Sequence, residues 1–137
     1  PETRNPDIIY PMCKSLGGCV QAENSDQMSA LMVTTCMMGP FYGILKNNRE
    51  FLMKQGIPAS EASFLVGKLY SNMMKDAEKV QDDPKGFDHL IEEQTPGGLN
   101  EQAYLNLQEA GALDAYDRIQ TAVLSRIRGE SDGTLPK

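Results

Sequence analysis

The stretch Gln94-Thr95-Pro96-Gly97-Gly98-Leu99-Asn100 organises the chain, because one helical pattern stops here and another begins. Pro96 disfavours helical geometry at Thr95 and cannot lie inside a helix. Gly97 and Gly98 can adopt positive φ and leave their amides uncovered, and Asn100 is a natural N-cap or N-terminal helical residue. The pattern predicts a tight turn with free N–H groups at a helix start, which suits a carboxylate or phosphate. The alternative is a plain connector between two helices.

Composition indicates one soluble globular domain. The chain has 137 residues, of which 40% are hydrophobic and 23% charged, and these values are unlike those of a disordered protein. The net charge of −6 argues against nucleic acid or an anionic membrane as a partner. The longest apolar run, residues 31–43, is interrupted by threonines, Gly39 and Pro40, so we expect no membrane span.

The cysteines indicate a reducing compartment. Cys13, Cys19 and Cys36 form no CxxC pair, and an odd count is unlike a secreted disulfide framework. With the single His89 they match no standard metal-ligand spacing, so we expect no metal. We therefore predict free thiols and a cytoplasmic location.

Apolar residues recur at helical spacing along most of the chain and predict an all-α fold. A short helix is expected over residues 5–16, kinked or shortened by Pro11. A buried helix should begin at Asn24 and be interrupted at Gly39-Pro40. The further helices are expected over residues 41–55, 60–81 and 87–94, then from about Asn100 to Ala110, and finally over residues 113–128.

The front of the chain is predicted to be an αβ remnant. Residues 19–22 alternate in polarity and could form a lone strand, yet we find no second convincing strand for it to pair with. Such a strand is natural at the end of a sheet that lies elsewhere, so we expect an excised piece of a longer protein. We assign residues 1–23 to the end of a nucleotide-binding domain or a linker, 24–128 to a helical domain, and 129–137 to a disordered tail.

Few residues outside the turn suggest catalysis. His89 has no nucleophile motif around it and is expected to be a surface or packing residue. Glu92 and Glu93 are adjacent, so they do not share a helix face and cannot converge on one substrate atom. The chain has no GxGxxG, so no dinucleotide site can be built from it alone. No catalytic residue can be assigned.

Several motifs, in order and spacing, resemble the C-terminal domain of pyrroline-5-carboxylate reductases, a helical bundle of the 6-phosphogluconate-dehydrogenase-like type. That family carries Ser-Gly-Ser-Gly-Pro-Ala-Tyr, a Gly-Leu-Pro helix boundary and Thr-Ser-Pro-Gly-Gly-Thr-Thr. The matching stretches here are Gly39-Pro40-Phe41-Tyr42, Gly56-Ile57-Pro58, Thr95-Pro96-Gly97-Gly98-Leu99-Asn100 and Glu109-Ala110-Gly111-Ala112-Leu113. Cys36-Met37-Met38 replaces the small Ser-Gly-Ser, Thr95 replaces a serine, and Asn100 replaces a threonine that contacts the substrate in the family.

The resemblance implies a dimerisation and substrate-binding domain. In the family an N-terminal Rossmann domain binds NADPH or NADH, the helical domain interleaves with that of a partner, and hydride reduction of a cyclic imine gives proline. Here it implies a homodimer, or a higher oligomer built from it, with a small imine or amino-acid substrate held by Thr95, Gly97, Gly98, Leu99 and Asn100. No cofactor is expected to bind this chain, and the chain alone should be inactive. The alternatives are a non-catalytic helical dimerisation module and a related NADP-dependent oxidoreductase with another substrate.

Overall fold

A computed structural model describes residues 5–135 of the chain, and within them it forms α-helices and no strand. This confirms the predicted all-α class. The helices are α1 (Pro6–Ser15), α2 (Ser25–Cys36), α3 (Met38–Lys54), α4 (Ala59–Lys79), α5 (Phe87–Glu92), α6 (Leu99–Glu109) and α7 (Ala112–Ile127). The chain divides into two compact units, one formed by Met38–Asp117 and the other by the described residues before and after that range.

Helix α1 forms as expected, with Pro6 in its first turn and Pro11 inside it. The strand predicted over residues 19–22 is wrong, because these residues have no regular structure. A strand gains its hydrogen bonds from a neighbour, and the described residues supply no other strand to pair with. The assignment of residues 1–23 to another domain stays a prediction, and its residues 1–4 lie outside the described part of the chain.

Helix α2 begins where the sequence predicts, through reciprocal capping. The Asn24 side chain accepts from the Gln27 amide at 2.9 Å, and the Gln27 side chain accepts from the Glu23 amide at 2.8 Å. The predicted burial of this helix is wrong: Met28 and Met32 are 40% and 49% exposed. An apolar pattern shows which side chains favour burial, but burial also needs atoms on the opposite side.

The break after α2 lies at Met37, two residues before the predicted interruption at Gly39-Pro40. Pro40 is the third residue of α3, where a backbone N–H would have no intrahelical acceptor in any case. Pro40 therefore lies in the first turn of α3 and does not end α2. Met37 itself is buried.

Helices α2 and α3 together, Ser25–Lys54, are long and apolar enough to cross a membrane by length and composition. Only 11% of this apolar stretch is buried within the chain. The expectation that no such span exists rested on the threonines, Gly39 and Pro40, and these residues all lie within the two helices. Core helices of soluble proteins and signal sequences can have the same length and apolar composition.

Helices α3 and α4 form a hairpin. Gly56, at φ +89°, ends α3 in a Schellman motif: its amide bonds the Met53 carbonyl at 3.0 Å, and the Ile57 amide bonds the Leu52 carbonyl at 3.1 Å. The predicted helix stop at Gly56-Ile57-Pro58 is confirmed. Helix α4 then starts directly after Pro58.

Three side-chain contacts join the hairpin helices. The Asn48 amide donates to the Tyr70 hydroxyl at 3.0 Å, and the Arg49 Nε donates to the Ser63 hydroxyl at 2.8 Å. The rings of Phe41 and Tyr70 meet edge-on with centroids 6.0 Å apart. Ala62 and Val66, one turn apart on α4, are the buried residues of this unit.

The remaining helices lie close to their predicted positions. Helix α6 ends before Gly111, which has φ +68°, and α7 ends before Gly129, which has φ +75°. Both glycines occupy the left-handed position that ends many helices. Residues 129–135 form no helix; residues 136 and 137, at the end of the predicted disordered tail, lie outside the described residues.

Candidate functional site

The turn before α6 is closed by a backbone hydrogen bond from the Gly98 amide to the Thr95 carbonyl at 2.9 Å. Pro96 occupies the second position of the turn and Gly97, at φ +73°, the third, an arrangement typical of a type II turn. A Cβ on Gly98 would lie 2.8 Å from the Thr95 carbonyl oxygen. Both positions therefore require glycine, Gly97 for its φ and Gly98 for the close backbone approach.

Helix α6 starts directly after this turn, at Leu99. Gly98 is its N-cap and supplies no side-chain acceptor, and Asn100 is the second helical residue rather than the cap. The amides of Leu99 and Asn100 accordingly have no acceptor among residues 5–135. They are the donors that a ligand carboxylate would meet.

The Glu101 side chain accepts a hydrogen bond from one of the backbone amides of the turn. Its Oε2 accepts from the Gly97 amide at 2.6 Å. With the Gly98 amide bonded to Thr95, both glycine amides have partners inside the turn. The backbone amides of Gly97 and Gly98, predicted to be free, are therefore already bonded. The amides left for a ligand are those of Leu99 and Asn100.

Gln94 links the two helices that flank the turn. Its Nε2 donates to the Leu90 carbonyl of α5 at 2.7 Å, and its Oε1 accepts from the Asn100 Nδ2 at 2.9 Å. The side-chain N–H of Asn100, unlike its backbone N–H, is thus bonded to Gln94. This orientation leaves the Asn100 Oδ1, an acceptor, for any other group.

A cavity of about 220 Å³ lies beside the turn. This volume is below the range usual for drug-sized ligands and suits a small ring. The side chains around it combine apolar surface with two carboxylates. They belong to Ile91, Glu92, Gln94, Pro96, Glu101, Tyr104 and Leu105.

The structure brings together residues that sequence reasoning missed. Gln94 and Glu101 both bond to residues of the predicted site, although neither was proposed as part of it. Glu101 was recognisable, because Glu at the third position of a helix commonly reaches back to an amide before the helix. The role of Gln94 depends on how α5 and α6 lie across the turn, and no local pattern reports that.

The other polar residues considered from sequence lie apart from the turn's hydrogen bonds. His89 is half exposed and its Nδ1 is 2.5 Å from Asp83 Oδ2, in agreement with a surface position. Glu92 forms an ion pair with Lys85 at 2.5 Å. Among residues 5–135, no group of three or more metal-ligating side chains is placed to hold an ion.

Comparisons with protein-family models, curated proteins and solved structures find no match. The family suggested by the motifs therefore remains an expectation that rests on the sequence.

Proposed function

We propose that the chain is the dimerisation and substrate-binding domain of an oxidoreductase that resembles pyrroline-5-carboxylate reductases. In the full-length protein, a nicotinamide cofactor would reduce a small cyclic imine that carries a carboxylate. This chain would supply the dimer contacts and the carboxylate site.

The positions of the helix boundaries support this proposal. Helix α3 ends before Gly56, the turn at Pro96 lies directly before α6, and α6 ends before Gly111. These three boundaries fall at motif positions on which the resemblance rests. Two proteins with the same helical architecture have helix boundaries at equivalent motif positions, so the boundaries of this chain support the resemblance.

The observation that carries the proposal is the uncovered apolar surface. Among residues 5–135 only Val33, Met37, Ala62 and Val66 are buried hydrophobic residues. Met28 and Met32 of α2 and Phe64 of α4, which is 69% exposed, lie open instead. A chain of this length normally buries about two thirds of its surface on folding, so we infer that a second copy covers these faces.

The carboxylate of the substrate would bind at the start of α6. The amides of Leu99 and Asn100 supply two donors there, and the positive end of the helix dipole favours an anion. Glu101 opposes such binding by its charge, and the Asn100 Oδ1 offers an acceptor to an N–H group. A ligand with both a carboxylate and a protonated nitrogen matches this set of groups better than a simple anion does.

The nicotinamide cofactor, NADPH or NADH, would bind outside this chain. The sequence contains no glycine-rich phosphate loop, and the residues around the cavity beside the turn include two carboxylates, which disfavour a phosphate. The residues present here do not fit a dinucleotide, and the cofactor would require a separate nucleotide-binding domain.

Titration of the ¹⁵N-labelled chain with L-proline tests the carboxylate site. We expect the largest amide shifts at Leu99 and Asn100, and we expect the Gly98→Ala variant to lose them because its Cβ displaces the turn. Gly43→Ala is the matched control, since a Cβ at this helical glycine meets nothing within 4 Å. Largest shifts far from residues 94–101 would sink the assignment.

The reaction requires an assay of the full-length protein with NADPH and pyrroline-5-carboxylate. Turnover supports the proposal. Binding of NADPH without turnover favours a related oxidoreductase that acts on a different substrate.

A non-catalytic dimerisation module is the second candidate. It is favoured by the internal pairing of the Gly97 and Gly98 amides, which fits a turn stabilised for its own sake. The bulky Cys36-Met37-Met38 also stands where the resemblance expects small residues. This candidate predicts a dimer that neither binds L-proline nor supports turnover.

A further inference from the structure

Asp83 ties the connection between α4 and α5 to α5 itself. Its Oδ1 accepts from the Lys85 amide at 2.8 Å, its backbone carbonyl accepts from the Gly86 amide at 2.8 Å, and its Oδ2 is 2.5 Å from His89 Nδ1. The first two bonds shape the connection. The third is the contact that joins Asp83 to the helix.

A second ion pair spans the same place. Lys85 Nζ is 2.5 Å from Glu92 Oε2, one turn beyond His89. Both pairs border one open hollow, which Pro84 and Glu93 also line. Phe87, the first residue of α5, is 65% exposed. The two ion pairs, together with the backbone bond from the Asp88 amide to the Lys85 carbonyl at 3.1 Å, join the connection to α5.

We propose that protonated His89 acts as a latch that holds the α4–α5 connection through Asp83, and that the latch opens when His89 loses its proton as the pH rises. The device is independent of the function proposed above. It would change the order of residues 80–86, which lead into α5 and the turn before α6.

The charges around His89 give the direction of this switch. The Asp83 carboxylate raises the pKa of His89 above 6.5, Glu93 adds to the effect, and Lys85 opposes it. The same contact lowers the pKa of Asp83. A histidine with a raised folded-state pKa stabilises the closed form fully below its unfolded pKa and ceases to do so as pH rises through the folded value. The latch is therefore closed between the lowered pKa of Asp83 and the raised pKa of His89.

A ¹H NMR titration measures the protonation of His89 directly, because His89 is the only histidine in the chain. We expect its ring resonance to titrate with a midpoint above 6.5, and the Lys85 amide to titrate with the same midpoint. Hydrogen-exchange protection of that amide should fall by about two- to five-fold across the transition, as an exposed ion pair allows.

Asp83→Asn and Asp82→Asn form a matched pair of variants. Asp83→Asn should lower the His89 midpoint and remove the pH response of the Lys85 amide, whereas Asp82→Asn should change neither. Far-UV circular dichroism checks that both variants keep their helices. A midpoint at or below 6.5 in the unmodified chain overturns the proposal, and so does a Lys85 amide that ignores the titration of His89.

Discussion

The α3–α4 hairpin and the turn before α6 are stabilised by different kinds of contact. The hairpin depends on residues far apart in sequence, such as Asn48 with Tyr70 and Arg49 with Ser63. The turn depends on neighbours, with Gly98 bonded to Thr95 and Gly97 bonded to Glu101. The comparison shows that a candidate binding site can be built locally while the surrounding fold requires contacts at long range.

The largest expected effect is at the hairpin. Val66→Asp places an unpaired charge at a buried position, and we expect it to lower the free energy of unfolding by about 2–5 kcal/mol. Lys68→Asp, at an exposed position of the same helix, should change it by less than about 0.5 kcal/mol. Urea denaturation at equal protein concentration measures both. Equal effects of the two variants would contradict the packing described for α4.

A smaller effect is expected at the turn. Gly98→Ala brings a Cβ to 2.8 Å from the Thr95 carbonyl oxygen and should cost about 1–3 kcal/mol of stability. Gly43→Ala should be neutral or stabilise by up to about 1 kcal/mol, because alanine favours the helix there. Thermal unfolding of the two variants compares them. A Gly98→Ala protein as stable as Gly43→Ala would show that the turn is not as tight as described.

The smallest effect is expected at Glu101. Glu101→Gln weakens the acceptor for the Gly97 amide and should cost about 0.5–1.5 kcal/mol of stability. The same change removes a negative charge beside the Leu99 and Asn100 amides, so acetate, a carboxylate without a protonated nitrogen, should bind more tightly. Calorimetry of the two proteins checks the affinity. Weaker binding in the variant would place the ligand carboxylate elsewhere.

Local signals account for what the sequence predicted correctly. The cap at Asn24, the Schellman stop at Gly56 and the turn at Pro96 each depend on a few consecutive residues. The failures have non-local causes. The strand over residues 19–22 needed a partner, and the burial of α2 needed atoms opposite Met28 and Met32.

The site divides in the same way. The turn, and a helix beginning within one or two residues of it, could be predicted, because proline and glycine restrict the backbone directly. The bridge made by Gln94 could not, since it depends on the placement of two helices. The break at Met37 was displaced from Gly39-Pro40 because a helix accepts proline in its first turn.

The central claim is that a second copy of the chain covers the apolar surface around Met28 and Met32. Size-exclusion chromatography with light scattering, run from low to high micromolar concentration, tests it most directly. We predict twice the mass of the chain throughout, and a shift to the single-chain mass for Met32→Lys, with helicity retained. A single-chain mass for the unmodified protein at high micromolar concentration would contradict the account, as would a protein that remains in solution only with detergent.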